Sequence, residues 1–312
     1  MKKRILISLG GNALGTLYDE LIETVGIIAK PIADLIAEGN EVVICHGNGP
    51  QVGFIKTHID KGVMAEDAEH GITLPLSECV AMSQSFIGYH LQNALQNTLT
   101  EKGIDKKVVT VVSRVLVDPK DPKFQHPTKP IGAFYTEEQV EKLRAAGKTV
   151  VEDSGRGYRE VVASPIPLEI LEKDSVLDLM NDGNVVIAGG GGGIPTVRDG
   201  KWLKAIDAVI DKDRTSVLLA SDTQCDSLVI CTGVEKVSIN FNTPDQKDLD
   251  QMTLAECERY IGEGQFPEGS MLPKIEAAMD FVKSGKGRKT LITSLDKLVE
   301  GMRGETGTFI VE

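Results

Sequence analysis

The chain has 312 residues, 41% of them hydrophobic and 26% charged, with a formal net charge of −12. That balance suits a globular chain of one large domain or two ordinary ones. It argues against a binder of nucleic-acid backbone, which needs a basic face, though a few lysines in a crevice still serve a nucleotide. No stretch reaches the roughly 18 apolar residues of a membrane span. Ile5 to Leu9, behind Met1-Lys2-Lys3-Arg4, is too short for a signal-peptide core. The five cysteines (Cys45, Cys79, Cys225, Cys231, Cys257) show no C-x-x-C spacing, which fits a reducing cytoplasm.

Strand-like and helix-like segments alternate almost throughout, which predicts a mainly parallel open sheet covered on both faces. The first strand, Arg4 to Leu9, stops at Gly10-Gly11-Asn12. Leu21, Val25, Ile28, Ile32 and Leu35 have helical spacing over Asp19 to Glu38, with Gly39 as C-cap. Pro31 lies inside that pattern and predicts a kink or break near Lys30. Glu41 to Cys45 is the second strand and runs into His46-Gly47-Asn48-Gly49-Pro50-Gln51-Val52-Gly53, where Pro50 suits the first turn of a helix. Ser77 to Lys102 reads as a long helix ended by Gly103, and Lys107 to Val117 as one long strand.

Asp118 to Pro167 is rich in proline and charge and too long for a simple connection. It predicts an inserted subdomain, 118–167, within one domain spanning 1–312, since it carries Phe124, Phe134, Tyr135, Tyr158 and a short strand at Thr149 to Val151. A helix from Leu168 to Asn181 follows, then a strand, Asn184 to Ala188, that ends in Gly189 to Gly193. Asp213 to Ser221 is helical, and Ser227 to Thr232 is a strand ending at Gly233. Thr253 and Glu256 have capping-box spacing. A helix at Met271 to Ser284 and strands at Thr290 to Thr293 and Thr308 to Val311 complete the chain.

Three strands thus end at glycine turns, two of which carry asparagine. A strand that stops at glycine bares backbone N–H groups, and a following helix adds its positive end, so the three turns suggest one anion-binding crevice. Gly285 to Thr290 has the residues of a nucleoside triphosphate loop in the wrong order. The five-glycine run leads into Ile194-Pro195, not the helix of a dinucleotide fold. Three lysines stand in unusual settings: Lys129 beside Pro130, Lys212 between Asp211 and Asp213, and Lys274 behind Pro273. None of the histidines has metal-ligand spacing, and His46 is the only one within a motif.

At these residues the chain resembles the carbamate kinases of the amino acid kinase family. The matching segments are Leu9 to Ala13, His46 to Gly53, Pro127 to Gly132, Glu152 to Arg159, Ala188 to Pro195, Ala208 to Asp213 and Gly269 to Ala278, in one collinear order. The resemblance implies a three-layer αβα sandwich around a mainly parallel sheet, with a protruding subdomain. It implies reversible transfer between ATP plus carbamate and ADP plus carbamoyl phosphate, with Mg2+, in a cytoplasmic homodimer that makes ATP during arginine breakdown. Catalytic roles fall on Lys129, Lys212, Asp213 and Lys274. Gly10, Gly11, Asn12, Gly47, Asn48 and Gly49 would bind the carbamate and the moving phosphoryl. Lys212, Gly233, Val234, Met271 and Lys274 would bind the nucleotide, and no residue is assigned to a metal. Ser8, Asp211 and the five-glycine run are left without a firm role. Relatives that phosphorylate larger carboxylates carry a lysine in the first strand; this chain has Leu6-Ile7-Ser8-Leu9 there and supplies Lys129 instead. The competing expectations are such a relative, or a non-catalytic sensor of nucleotide or carbamoyl phosphate.

Overall fold

A computed structural model describes residues 2–10, 14–15, 18–63, 74–145, 147–152 and 157–312. In chain order, β1 (Arg4–Leu9), α1 (Tyr18–Ala37), β2 (Glu41–His46) and α2 (Gly49–Val63) come first. α3 (Leu76–Glu101), β3 (Val108–Thr110) and β4 (Arg114–Val117) follow. Next are β5 (Lys129–Tyr135), α4 (Glu137–Ala145), β6 (Val150–Glu152) and β7 (Tyr158–Val162). β8 (Pro167–Ile170), α5 (Lys173–Asn181), β9 (Val185–Ile187), β10 (Ile194–Asp199) and β11 (Trp202–Ala205) lead to α6 (Lys212–Asp222) and β12 (Ser227–Thr232). The last part holds β13 (Val237–Ile239), β14 (Lys247–Leu249), β15 (Gln251–Thr253), α7 (Leu254–Gly262), α8 (Leu272–Lys283), β16 (Lys289–Ser294), α9 (Leu298–Met302) and β17 (Thr308–Val311).

The central sheet has eight strands in the order β15-β17-β16-β12-β1-β2-β9-β3. Four neighbouring strands, β12, β1, β2 and β9, are mutually parallel. Alternate side chains of each strand enter opposite layers, as the pleat requires. Ile5, Ile7 and Leu9 pack with Ile28 and Ile32 of α1, Leu91 of α3 and Leu298 of α9. Leu6 and its equivalents Val43, Val186 and Leu228 pack with Leu219 of α6 and Ile275 and Phe281 of α8. The fold is therefore a three-layer αβα sandwich on a mainly parallel sheet. Because the middle strands run the same way, the turns after Thr232, Leu9, His46 and Ile187 line one edge.

A second sheet, β11-β10-β4-β8, stands beside the first. The chain leaves it at Val117 and re-enters it at Pro167, directly opposite. Between those points lies a separate antiparallel sheet, β5-β7-β6, with α4. This unit is fastened to α2. A Cβ on Gly53 would stand 2.1 Å from the Gly132 Cα, so helix and strand touch backbone to backbone. Lys148 adds an ionic tie, donating to Asp60 of α2 at 3.3 Å and to Glu160 of β7 at 2.8 Å.

Three expectations are corrected. Lys107 to Val117 is not one strand: β3 pairs with β9 in the central sheet, and β4 pairs with β10 and β8 in the second. The amide of buried Gln84 takes the place of a strand neighbour at the crossing. It accepts from the Ser113 N–H at 2.9 Å and donates to the Ser113 carbonyl at 3.0 Å. Leu168 lies in strand β8, and the helix of that region starts at Lys173. Of the kink or break expected near Lys30, the break does not occur: α1 continues through Pro31. The carbonyl that Pro31 leaves without its usual N–H partner belongs to Ile27, whose side chain is exposed. The capping box is present, with the Thr253 hydroxyl accepting from the Glu256 N–H at 3.2 Å and Glu256 accepting from the Thr253 N–H at 2.9 Å.

Gly53→Ala tests the backbone contact between α2 and β5. Its Cβ meets main chain, which cannot rotate away, so a loss of about 1–3 kcal/mol in folding stability is expected by denaturant titration. An unchanged midpoint would show that the two elements are not in contact.

Candidate active site

The lysines predicted from sequence are brought together by two carboxylates of one helix turn. α6 starts after Asp211, whose Oδ1 accepts the Asp213 N–H at 2.9 Å as an N-cap. Asp213 is buried and grips two ammonium groups, Lys212 Nζ at 2.6 Å and Lys274 Nζ at 2.9 Å. Lys274 comes from the first turn of α8, where Pro273 suits an N-terminal position. Lys212 Nζ also donates to Ser8 Oγ of β1 at 2.8 Å, and Ser8 in turn accepts from Ser216 Oγ at 2.9 Å. Lys129, at the start of β5, pairs with Asp211 Oδ2 at 2.5 Å. Three lysines from three elements thus stand at the N-terminus of α6.

Burial alone would push the Asp213 carboxyl up, but Lys212 and Lys274 outweigh it and hold the group far below the usual carboxylate range. Burial likewise opposes the charge on Lys212, and Asp213 overcomes it, so the Lys212 ammonium is held above its ordinary value. Asp211 follows the same pattern: burial raises it, Lys129 lowers it, and the net direction is down. Three ammonium groups against two carboxylates leave a net positive cluster, suited to an anion.

The second glycine turn faces the same edge. The Gly47 N–H is already given to the Leu9 carbonyl at 2.9 Å, so Gly47 ties the first turn to the second and has no N–H left for a ligand. Asn48 and Gly49 open α2, where the first N–H groups lack helical acceptors. The Asn48 side chain is buried and donates to Ser83 Oγ at 2.8 Å. Gly10 is half-buried at the end of β1; Gly11 and Asn12 lie outside the described residues. Gly233 follows β12 and is exposed, and a side chain there would meet open space. Val234 and Met271 are half-buried, Met271 immediately before α8.

The five-glycine run sits between the second turn and α6. A Cβ at Gly191 would stand 2.2 Å from Asn48 Nδ2, and one at Gly192 would stand 2.2 Å from the Ile210 carbonyl oxygen, both at positive φ. Thr215 of α6 donates to the Gly192 carbonyl at 2.8 Å. The run is thus a spacer without side chains that lets the turn before α2 and the start of α6 approach one point. Ser8 and Asp211, without a role in the sequence reading, both contact the lysines. Their signals were available: Ser8 lies two residues after Leu6 and so shares its face toward α6, and Asp211 precedes a helix as N-caps do.

A match to the amino acid kinase family spans residues 3–294. The chain belongs to that family. The carbamate kinase-like protein YqeA of Escherichia coli is 51% identical over 312 residues, covering 100% of both chains. Carbamate kinase 3 of Staphylococcus aureus is 47% identical, over 98% of this chain and 99% of the relative. Among solved structures, carbamate kinase from Giardia lamblia bound to AMP-PNP is 40% identical with a TM-score of 0.89, covering 99% of this chain and 98% of that one.

His46 ends β2 and is buried, with Nδ1 3.0 Å from the Gly47 carbonyl oxygen. Burial is the largest influence and lowers its pKa to about 4, from 6.5. The folded chain therefore holds His46 neutral where the unfolded chain protonates it. Stability is expected to fall as pH drops from 6.5 towards 4, by at most about 1.4 kcal/mol per pH unit from this group. Denaturant titrations across that range check it, and His46→Gln is expected to flatten the slope. Equal slopes in both proteins would contradict a neutral buried His46.

Proposed function

We propose that this chain catalyses reversible phosphoryl transfer between ATP plus carbamate and ADP plus carbamoyl phosphate. The observation that carries it is the arrival of Lys129 from the inserted sheet at the lysine-carboxylate cluster, opposite a first strand that offers Ser8 in place of a lysine. The full-length likeness to carbamate kinases supports the same substrate over a larger carboxylate.

Phosphoryl transfer asks little covalent chemistry of a protein; positioning and charge neutralisation carry it. In the ATP-forming direction, an oxygen of the ADP β-phosphate attacks the phosphorus of carbamoyl phosphate. That P–O bond forms while the bond to the carbamoyl oxygen breaks, and carbamate leaves as an oxyanion. No proton moves, so no general base is required. Lys212 and Lys274 neutralise the nucleotide phosphates, Lys129 contacts the phosphoryl in transit, and Asp213 keeps the two inner ammonium groups in place. Gly10, Gly11, Asn12 and the turn at Asn48 and Gly49 hold the carbamate and phosphoryl oxygens. Gly233, Val234 and Met271 border the nucleotide. The inserted unit, residues 118–167, acts as a lid that delivers Lys129.

Mg2+ enters with the nucleotide. Among the described residues there is no group of three or more His, Cys, Asp or Glu side chains able to hold a metal. The two carboxylates at the site are already paired with lysines. Such a donor set fits an ion held mainly by phosphate oxygens and water, its usual mode in kinases, where it neutralises charge on the transferring group. Supported by the resemblance alone are a cytoplasmic homodimer and net ATP formation in arginine breakdown. Among the described residues, no helix is long and apolar enough to cross a membrane.

Mixing the protein with ADP, Mg2+ and carbamoyl phosphate, with a coupled readout for ATP, tests this function. Wild-type protein is expected to form ATP, and a blank result would exclude the enzyme in favour of a sensor. Lys274→Ala is expected to lower turnover by roughly 100- to 1,000-fold, the usual loss for one preorganised electrostatic donor. Lys129→Ala is expected to slow turnover far more than it weakens nucleotide binding, measured by ADP titration. Equal losses in both would remove Lys129 from the transferring group.

A further inference from the structure

Among the described residues, Lys129 is paired with Asp211, a residue that the function above leaves without a task. We propose that Asp211 is a positioning residue that aims Lys129 into the crevice; this rests on the phosphoryl-transfer function and extends it.

The two oxygens of Asp211 have separate partners. Oδ1 accepts the Asp213 N–H at 2.9 Å, which fixes the carboxylate against the first turn of α6. Oδ2 is thereby left pointing in a set direction, and Lys129 Nζ meets it at 2.5 Å. The backbone of Lys129 is already constrained: Lys129 pairs with Val162 across β5 and β7, Pro130 follows it, and β5 rests on α2 at Gly132. What stays undefined is the flexible four-carbon stem, whose ammonium is otherwise a mobile point charge. The Lys129 side chain is 32% exposed, so without a carboxylate it would turn to solvent.

Asp213 is committed elsewhere, its Oδ1 accepting from Lys212 and Ser8 and its Oδ2 from Lys274, while Lys129 is placed on Asp211. The division is therefore fixed by sequence: Asp213 serves the inner pair, and Asp211 serves the lysine that arrives from outside. An ammonium has three N–H donors. One goes to Asp211, and two are left for phosphoryl oxygens, so aiming the lysine does not consume it.

Asp211→Asn in the full-length protein separates aiming from capping, since asparagine caps a helix as well as aspartate does. The melting temperature is expected to stay at the wild-type value. Turnover is expected to fall roughly 10- to 100-fold, the loss that goes with small misplacement of a reacting group. The KM for ADP is expected to stay within about twofold, since the nucleotide lysines keep Asp213. The variant carrying both Lys129→Ala and Asp211→Asn should be no slower than Lys129→Ala alone, because the two residues act as one unit. Wild-type turnover in Asp211→Asn would overturn the inference, and so would a loss that multiplies with that of Lys129→Ala. A fall in activity that tracks a fall in melting temperature would also overturn it, leaving only a cap. Inactive wild-type protein would instead defeat the phosphoryl-transfer function itself.

Discussion

Asp213 holds two ammonium groups, Lys212 buried and Lys274 half-buried, with a single buried carboxylate, and the rest of the site is arranged around that fact. Two lysines this close repel one another, and burial penalises the charge on Lys212. The shared carboxylate offsets the two effects and, with Ser8, leaves the inner pair few ways to move. Removing one partner of such a buried group typically costs about 3–5 kcal/mol, because the charge left behind has no water to turn to. The cluster is thus costly to assemble and hard to disturb. Its charge is in place before any anion arrives, as electrostatic preorganisation requires.

Placing that charge at the sheet edge sets a packing problem that the glycines solve. The turn before α2, the start of α6 and the end of β9 must meet within a few ångströms. Side chains at Gly191 and Gly192 would occupy the space that Asn48 and the Ile210 carbonyl need. The run that the sequence leaves without a firm role serves as this junction. Its neighbours carry polar side chains that lock it from outside: Ser113 Oγ accepts the Gly189 N–H at 2.9 Å, and Thr215 donates to Gly192.

Legibility in the sequence followed how local each signal was. β12 and β17, the helix at Lys212 and the capping box at Thr253 were readable because strand alternation, helix period and caps are short-range. The division of Val108 to Val117 between two sheets was not. The segment is valine-rich with only Thr110, Ser113 and Arg114 interrupting it, and the deciding group, Gln84, lies in another element. The same holds at the site. Lys129, Lys212, Asp213 and Lys274 meet in space through Asp211 and Asp213, but that pairing is not visible in the sequence. Nothing local to Lys129 says that its partner lies 82 positions away. Gly47 misled for a related reason: its N–H looked free in the sequence, yet the neighbouring strand end claims it.

The inserted unit carries a charge into a cluster built by a different part of the chain, so its attachment has to be stiff. A lysine stem alone spans several ångströms of freedom, and each ångström of error at a reacting phosphoryl is expensive in rate. Two features limit that freedom at the level of the backbone. The glycine contact between α2 and β5 allows no side chain to act as a cushion, and Lys148 bridges Asp60 and Glu160 across the same joint. α2 in turn springs from the Asn48–Gly49 turn. The outer lysine is therefore referenced to the anion-binding edge twice, once through the backbone of α2 and once through the carboxylate of Asp211. Two independent references make a unit that is separate in its sheet but not in its register with the site.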